Sequence, residues 1–141
     1  MKEIQKLEEK FGKKIVKCEK KSEQRIYLDI NPADLTDFAQ YIFRDMGARF
    51  VTASGVDTPG GIEILYHFSF DSSGLILSLH ILLDRDSPEV ESLTSVFKAA
   101  EWMEREINEL LGVNFRNHPN LRHLLLPDDW PKGNYPLRRK S

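Results

Sequence analysis

The sequence predicts an α+β fold: a two-layer sandwich of a mostly antiparallel or mixed sheet with helices on one face, followed by an extended C-terminal arm. Three observations predict it. Residues 62–70 and 75–83 alternate apolar and polar side chains with the period of a strand. Two other segments, starting at Asn31-Pro32 and near Ser95, carry apolar residues at helical spacing. The last stretch, 113–141, holds four of the seven prolines, and their spacing disfavours a helix there.

The elements follow in order. Residues 2–11 read as a short helix with Ile4, Leu7, Glu8 and Phe11 at helical spacing, and Gly12 as its stop. Lys13 to Glu19 and Arg25 to Ile30 read as strands joined by a charged turn, with Tyr27 and Leu28 supplying strand-forming bulk. Asn31 caps a second helix and Pro32 takes its first position. Leu35, Phe38, Ala39, Ile42 and Met46 line its apolar face, and Gly47 ends it. Ala48 to Val56 is the next strand.

Then comes the hairpin. Ile62, Ile64, Tyr66, Phe68 and Phe70 form one row of its first strand, and Leu75, Leu77, Leu79, Ile81 and Leu83 the matching row of its second. Asp71-Ser72-Ser73-Gly74 is the turn. One row packs on helices and the other stays half exposed. Ser87-Pro88 and Ser92 to Ser95 supply capping chemistry for a third helix over roughly 95–111. Val96, Ala99, Ala100, Met103, Ile107, Leu110 and Leu111 are its stripe. Glu101, Glu104, Arg105 and Asn108 are assigned to its solvent face, with Arg105 in reach of Glu101 and Glu109. Gly112 stops it. The chain thus divides into an α/β body, 1–112, and a basic, proline-rich arm, 113–141.

Charge supports that division. The body carries 14 bases against 20 acids, whereas the arm carries six bases against two acids. With a net charge of -2 over 141 residues, the chain is not a dedicated nucleic-acid binder. The single cysteine, Cys18, cannot build an internal disulfide or a cysteine-based zinc or iron–sulfur site, and it fits a reducing compartment. No apolar run reaches the ~20 residues that span a bilayer, and residues 1–10 lack the apolar core of a signal peptide. The expectation is a cytoplasmic protein.

The candidate sites are sparse. His67 and His80 share one face of the hairpin, but pairing Phe70 with Leu75 puts His67 opposite Ser78 and only diagonal to His80. Glu63 on that face reads as too far along the strand to complete a metal site. His118 and His123 lie five apart in a proline-flanked loop, and Asp128-Asp129 are neighbours that point apart on an extended chain. Glu104-Arg105-Glu106 is explained by ion pairs on a helix surface. No phosphate loop, nucleophile elbow or dinucleotide fingerprint occurs. The arm is the more informative segment: Phe115, Leu121, Leu124, Leu125, Leu126, Trp130, Tyr135 and Leu137 stand among prolines and bases. Such extended, aromatic, arginine-bearing segments suit protein interfaces.

One longer pattern runs through this region. It comprises Glu104-Arg105-Glu106, Leu111-Gly112-Val113, Phe115, His118-Pro119-Asn120-Leu121-Arg122, Leu126-Pro127-Asp128-Asp129-Trp130 and Tyr135-Pro136-Leu137-Arg138-Arg139. The pattern resembles the 30-kilodalton subunit of respiratory complex I, the respiratory-chain NADH dehydrogenase. That family includes the equivalent subunit of energy-converting [NiFe] hydrogenases and formate hydrogenlyases. The resemblance implies a scaffold subunit without catalytic residues on the hydrophilic arm of a membrane-associated electron-transfer complex. Its partners would be the large, 49-kilodalton-like subunit and the iron–sulfur small subunit. It would hold no cofactor itself; iron–sulfur clusters and flavin or nickel would sit in the partners. Association with the cell membrane would be peripheral, through the complex.

The resemblance also implies docking positions at Glu104, Arg105, Glu106, His118, Pro119, Leu121, Arg122, Trp130, Pro136, Leu137 and Arg138. Leu111 stands where the complex I versions more often have an aromatic residue, and Tyr135 where histidine is usual. The end at Ser141, soon after Arg138, looks more like the hydrogenase-type members. Two rival readings compete with it. A nucleic-acid-binding module would stack bases on Phe115, Trp130 and Tyr135 between Arg116, Arg122, Lys132 and Arg138. A small enzyme would use Asp128, Asp129 and His118 or His123.

Overall fold

In the computed structural model, residues 2–121, 126 and 129–138 are described. Helix α1 spans Lys2–Phe11 and is followed by a short tight turn, Gly12–Lys14. Strands β1 (Ile15–Ser22) and β2 (Arg25–Ile30) come next. The Asn31 side chain accepts from the Ala33 N–H at 2.9 Å, which is the cap expected ahead of Pro32. Helix α2 spans Leu35–Gln40 and widens into a π-turn over Tyr41–Asp45. Gly47, at φ 72°, lets the chain leave into β3, Arg49–Thr58. Strands β4 (Gly61–Phe70) and β5 (Leu75–Leu83), the short strand β6 (Glu89–Glu91), helix α3 (Ala100–Leu111) and strand β7 (Asn114–Arg116) complete the order.

Among the described residues, one five-stranded mixed sheet has the order β1-β2-β5-β4-β3. The β4–β5 hairpin has the expected register, with Phe70 opposite Leu75 and His67 opposite Ser78. The β2–β5 pair is parallel, with Leu28 beside Leu79, and no local pattern announces it. The expected inner rows are the core: Ile62, Ile64, Phe68, Leu77, Leu79 and Ile81 are fully buried. Leu7 of α1, Leu35 and Phe38 of α2 and Ile42 of the π-turn join the same cluster, and Phe11 stacks on Phe38 with ring centroids 3.9 Å apart. The opposite row of the sheet is half exposed, as expected.

Two expectations need correction. The third helix begins at Ala100, not near 95, because residues 93–97 close a turn on the Leu93 carbonyl whose Val96 and Phe97 are buried, Phe97 against Phe43, Phe50 and Phe68. The packed body also continues past Gly112: β7 pairs in parallel with β6, and Val113 and Phe115 are buried. Phe115 enters the core because the β6–β7 ladder turns its side chain inward.

Candidate docking site at the ends of the third helix

Helix α3 ends with carbonyl groups that no residue of the helix can satisfy. Gly112, at φ 78°, stops it in the left-handed region, and the described end of the arm comes back to supply the donors. The Leu137 N–H donates to the Leu110 carbonyl at 2.9 Å, and Arg138 Nη1 donates to the Leu111 carbonyl at 3.0 Å. Arg138 Nη2 donates to the Arg85 carbonyl at 2.6 Å. A guanidinium at a helix C-terminus also complements the helix dipole. The Tyr135 ring lies against Gly112, so close that a Cβ there would stand 2.5 Å from the ring.

Under this clasp sits Asp57, whose side chain is fully buried. Arg85 holds it with two hydrogen bonds, at 2.8 and 3.0 Å, and Arg138 Nε lies 3.6 Å away. One carboxylate thus stands between two guanidiniums, one from the β5–β6 connection and one from the arm. Sequence reasoning passes over Asp57 and Arg85. The available signal is the strand period: Asp57 shares a row with Ala53 and Gly55, which face the core, and an acid in that row requires a cation.

The other end of α3 is also tied. His118 Nδ1 accepts from the Asn120 N–H at 2.9 Å, so its Nε2–H donates to the Glu101 carbonyl at 3.0 Å. Both ring nitrogens are occupied. Glu109, nearly buried, accepts from the Leu126 N–H. Leu121 packs against the core, and Trp130 Nε1 donates to the Asn134 carbonyl at 2.7 Å.

Glu104 and Arg105 overturn the solvent-face assignment. Glu104 is 1% exposed and Arg105 8%. The segment 89–97 lies over that side of α3, so the helix is covered on more than the face its apolar stripe marks. The Glu104 carboxylate brackets this segment to the helix: Ser92 Oγ donates to it at 2.6 Å and the Leu93 N–H at 2.7 Å. Burial pushes the Glu104 acid up to about 7, against the pull of those two donors. Arg105 stacks over the Trp102 ring at 5.4 Å. Glu106, Pro119, Pro136 and Leu137 are at the surface, and Leu137 is 54% exposed. Arg122 lies outside the described residues, as do His123, Leu124, Leu125, Pro127, Asp128 and Arg139.

Near Glu104, the Tyr66 hydroxyl is buried with no hydrogen-bond partner among the described residues. Its proton is held well above the usual phenol range by burial, and secondarily by Glu104. Replacing Tyr66 with phenylalanine should therefore leave the fold unchanged or stabilise it by about 1 kcal/mol, because a desolvated hydroxyl is removed with little change of shape. Urea unfolding of the two forms checks this.

On the open sheet face, His67 Nδ1 meets Ser78 Oγ at 2.6 Å, as the register requires. Glu63 pairs with His80 across the diagonal of the hairpin. It reaches His80 Nε2 at 2.9 Å, while Asp29 from β2 lies 3.2 Å from His80 Nδ1. The two acids sit on opposite sides of the ring and do not converge on one point. Among the described residues no group of three or more His, Cys, Asp or Glu could hold a metal ion. No helix of the described chain is long and apolar enough to cross a membrane.

Some residues of the two rival readings are engaged within the fold. Phe115 is 1% exposed and offers no face to a base, and Tyr135 is pressed on Gly112. Asp129 is an exposed turn residue, both nitrogens of His118 are engaged, and Asp128 and His123 lie outside the described residues.

Known proteins are similar to this chain in sequence and in fold. The family model described as respiratory-chain NADH dehydrogenase, 30 Kd subunit, matches residues 28–141. The C subunit of the F(420)H(2) dehydrogenase of Methanosarcina mazei is 47% identical over 90 residues, covering 62% of this chain and 56% of that protein. The C subunit of the NADH-quinone oxidoreductase of Salinispora tropica is 31% identical over 121 residues, covering 78% of this chain and 49% of its own length. This chain thus spans about half the length of these relatives. Among solved structures, a chain of the membrane-bound sulfane sulfur reductase, an archaeal respiratory membrane complex, superimposes with a TM-score of 0.82. The match covers 97% of this chain and 82% of that one, at 23% identity. A trypsin-resistant fragment of Nqo5 superimposes with a TM-score of 0.72 at 19% identity, over 86% of this chain and all of the fragment. At these identities the two structures speak for the fold.

Proposed function

Since the chain belongs to the respiratory-chain NADH dehydrogenase 30 Kd subunit family, we propose that it is a scaffold subunit, itself non-catalytic, of a membrane-associated electron-transfer complex. It docks on the large subunit and on the iron–sulfur small subunit of that complex, and reaches the membrane through them. Clusters, and flavin or nickel, belong to the partners. The observation that carries this reading is the clasp. Backbone and guanidinium donors of Leu137 and Arg138 are spent on the end of α3, which holds the Leu137 side chain outward and 54% exposed. An apolar side chain presented on a fixed backbone suits a protein partner, because little ordering remains to be done on binding. In this reading Glu104 and Arg105 are positioning residues, and Glu106, Pro119, Pro136 and Leu137 meet the partner.

The test is affinity recovery of the tagged chain from its native membranes, with mass spectrometry and metal analysis of what accompanies it. A nickel-bearing large subunit with an iron–sulfur small subunit indicates a hydrogenase-type complex, and flavin and NADH-binding subunits indicate complex I. Leu137→Asp should abolish this recovery while shifting unfolding by no more than about 0.5 kcal/mol, as for surface substitutions generally. Normal recovery with Leu137→Asp would remove Leu137 from the interface.

A further inference from the structure

The sheet has two edges, and they differ. At β1 the edge is guarded by Lys17, Glu19, Lys20 and Lys21 and broken by two register shifts. Such charges and irregularities discourage another strand from pairing. At β3 the ladder runs without interruption from Thr52 to Thr58, with the sequence Thr-Ala-Ser-Gly-Val-Asp-Thr. It has no lysine or proline, and Asp57 is turned inward to Arg85. Val51 and Val56 are 44% and 51% exposed. On its outer side β3 makes no backbone hydrogen bond among the described residues.

Beside this edge runs a groove of about 180 Å³ between β3 and α3, lined by Gly55, Ile107, Leu110 and Leu137 among others. Its only charged lining residue among those described is Glu106. Gly55 matters here: a Cβ would come within 2.7 Å of Leu111 Cδ1, so the bare backbone is what lets α3 lie this close to the edge strand. The edge and the groove together offer main-chain pairing on one side and an apolar slot for alternate side chains on the other.

We propose that the outer edge of β3 receives an extended strand from a partner subunit. Alternate apolar side chains of that strand enter the groove, and a lysine or arginine of the strand faces Glu106. This rests on the docking reading above and extends it from the clasp to the adjoining edge, because Leu137 belongs to both. A second copy of this chain is the poorer occupant, since it would bring its own acidic α3, with Glu106, to the same groove.

The experiment is amide hydrogen exchange of the free chain and of the complex isolated from membranes, together with Val56→Lys. In the free chain every second amide of 52–58 points outward and should exchange rapidly. In the complex those amides should slow about tenfold or more. Val56→Lys, at an exposed position, should keep the unfolding midpoint and cut recovered partner about tenfold. If 135–138 slow in the complex and 52–58 do not, the strand inference is wrong and the docking reading stands. If no partner accompanies the wild-type chain, both are wrong. If 52–58 are protected in the free chain in a concentration-dependent way, the occupant is a second copy and the proposal fails.

Discussion

Raising the pH from 5 to 8 should weaken the fold by about 2–3 kcal/mol through Glu104 alone. In the folded chain burial keeps its proton until about pH 7, whereas the unfolded chain releases it near the ordinary value of 4.5. Between those values the folded state binds more protons. The contribution is therefore complete below about 4.5 and is lost as the pH climbs through 7. Glu104→Gln should flatten this component, because the amide mimics the neutral acid and keeps an acceptor for the Leu93 N–H. His67 acts with the opposite sign: burial, and then Arg25, hold its imidazole below the usual 6.5, so it favours the fold as pH rises. Comparing urea unfolding of wild type and Glu104→Gln across pH 5 to 8 cancels His67 and isolates Glu104. Parallel profiles for the two proteins would refute the assignment.

Asp57→Ala should cost about 3–4 kcal/mol, the scale expected when one member of a buried ion cluster is removed and its counter-ions remain. Here Arg85 and Arg138 would face one another across the vacated site, each still partly screened by solvent. The damage should not stay local. Arg138 also holds the Leu111 and Arg85 carbonyls, so repulsion at Asp57 loosens the clasp on α3. Lys132 should then become a faster trypsin site, while the β4–β5 hairpin keeps its exchange protection. Asp57→Asn should behave similarly in charge but retain shape, and so cost less. Unfolding titrations give the first effect and timed tryptic digestion the second. An unchanged digestion rate at Lys132 would separate Asp57 from the arm.

What can be read from the sequence is local. Asn31-Pro32 capping, the glycine stops at Gly12, Gly47 and Gly112, and the Asp71–Gly74 turn depend on neighbours within a few residues. The hairpin register follows from its turn, which is why His67 falls against Ser78 as expected. Helical periodicity misplaces Glu104 because it identifies one apolar face and treats every polar residue elsewhere as wet. The 89–97 segment covers a second side of α3, and the polarity of Glu104 serves an interior bracket. Strand spacing does not reveal the Glu63–His80 pair, because it measures backbone positions and a glutamate side chain spans the diagonal.

By itself, then, the sequence determined the α+β class, the core rows and a family motif ending at Arg139. Each of these lies in short-range pattern or in residue order. Only the tertiary structure decided the parallel β2–β5 pairing, the β6–β7 ladder that draws Phe115 inward, and the meeting of Asp57, Arg85 and Arg138. Those contacts join residues dozens of positions apart. Their stability comes from strand pairing and apolar burial and, at the clasp, from satisfying buried charge and unpaired helix carbonyls, demands that exist only once the chain has packed.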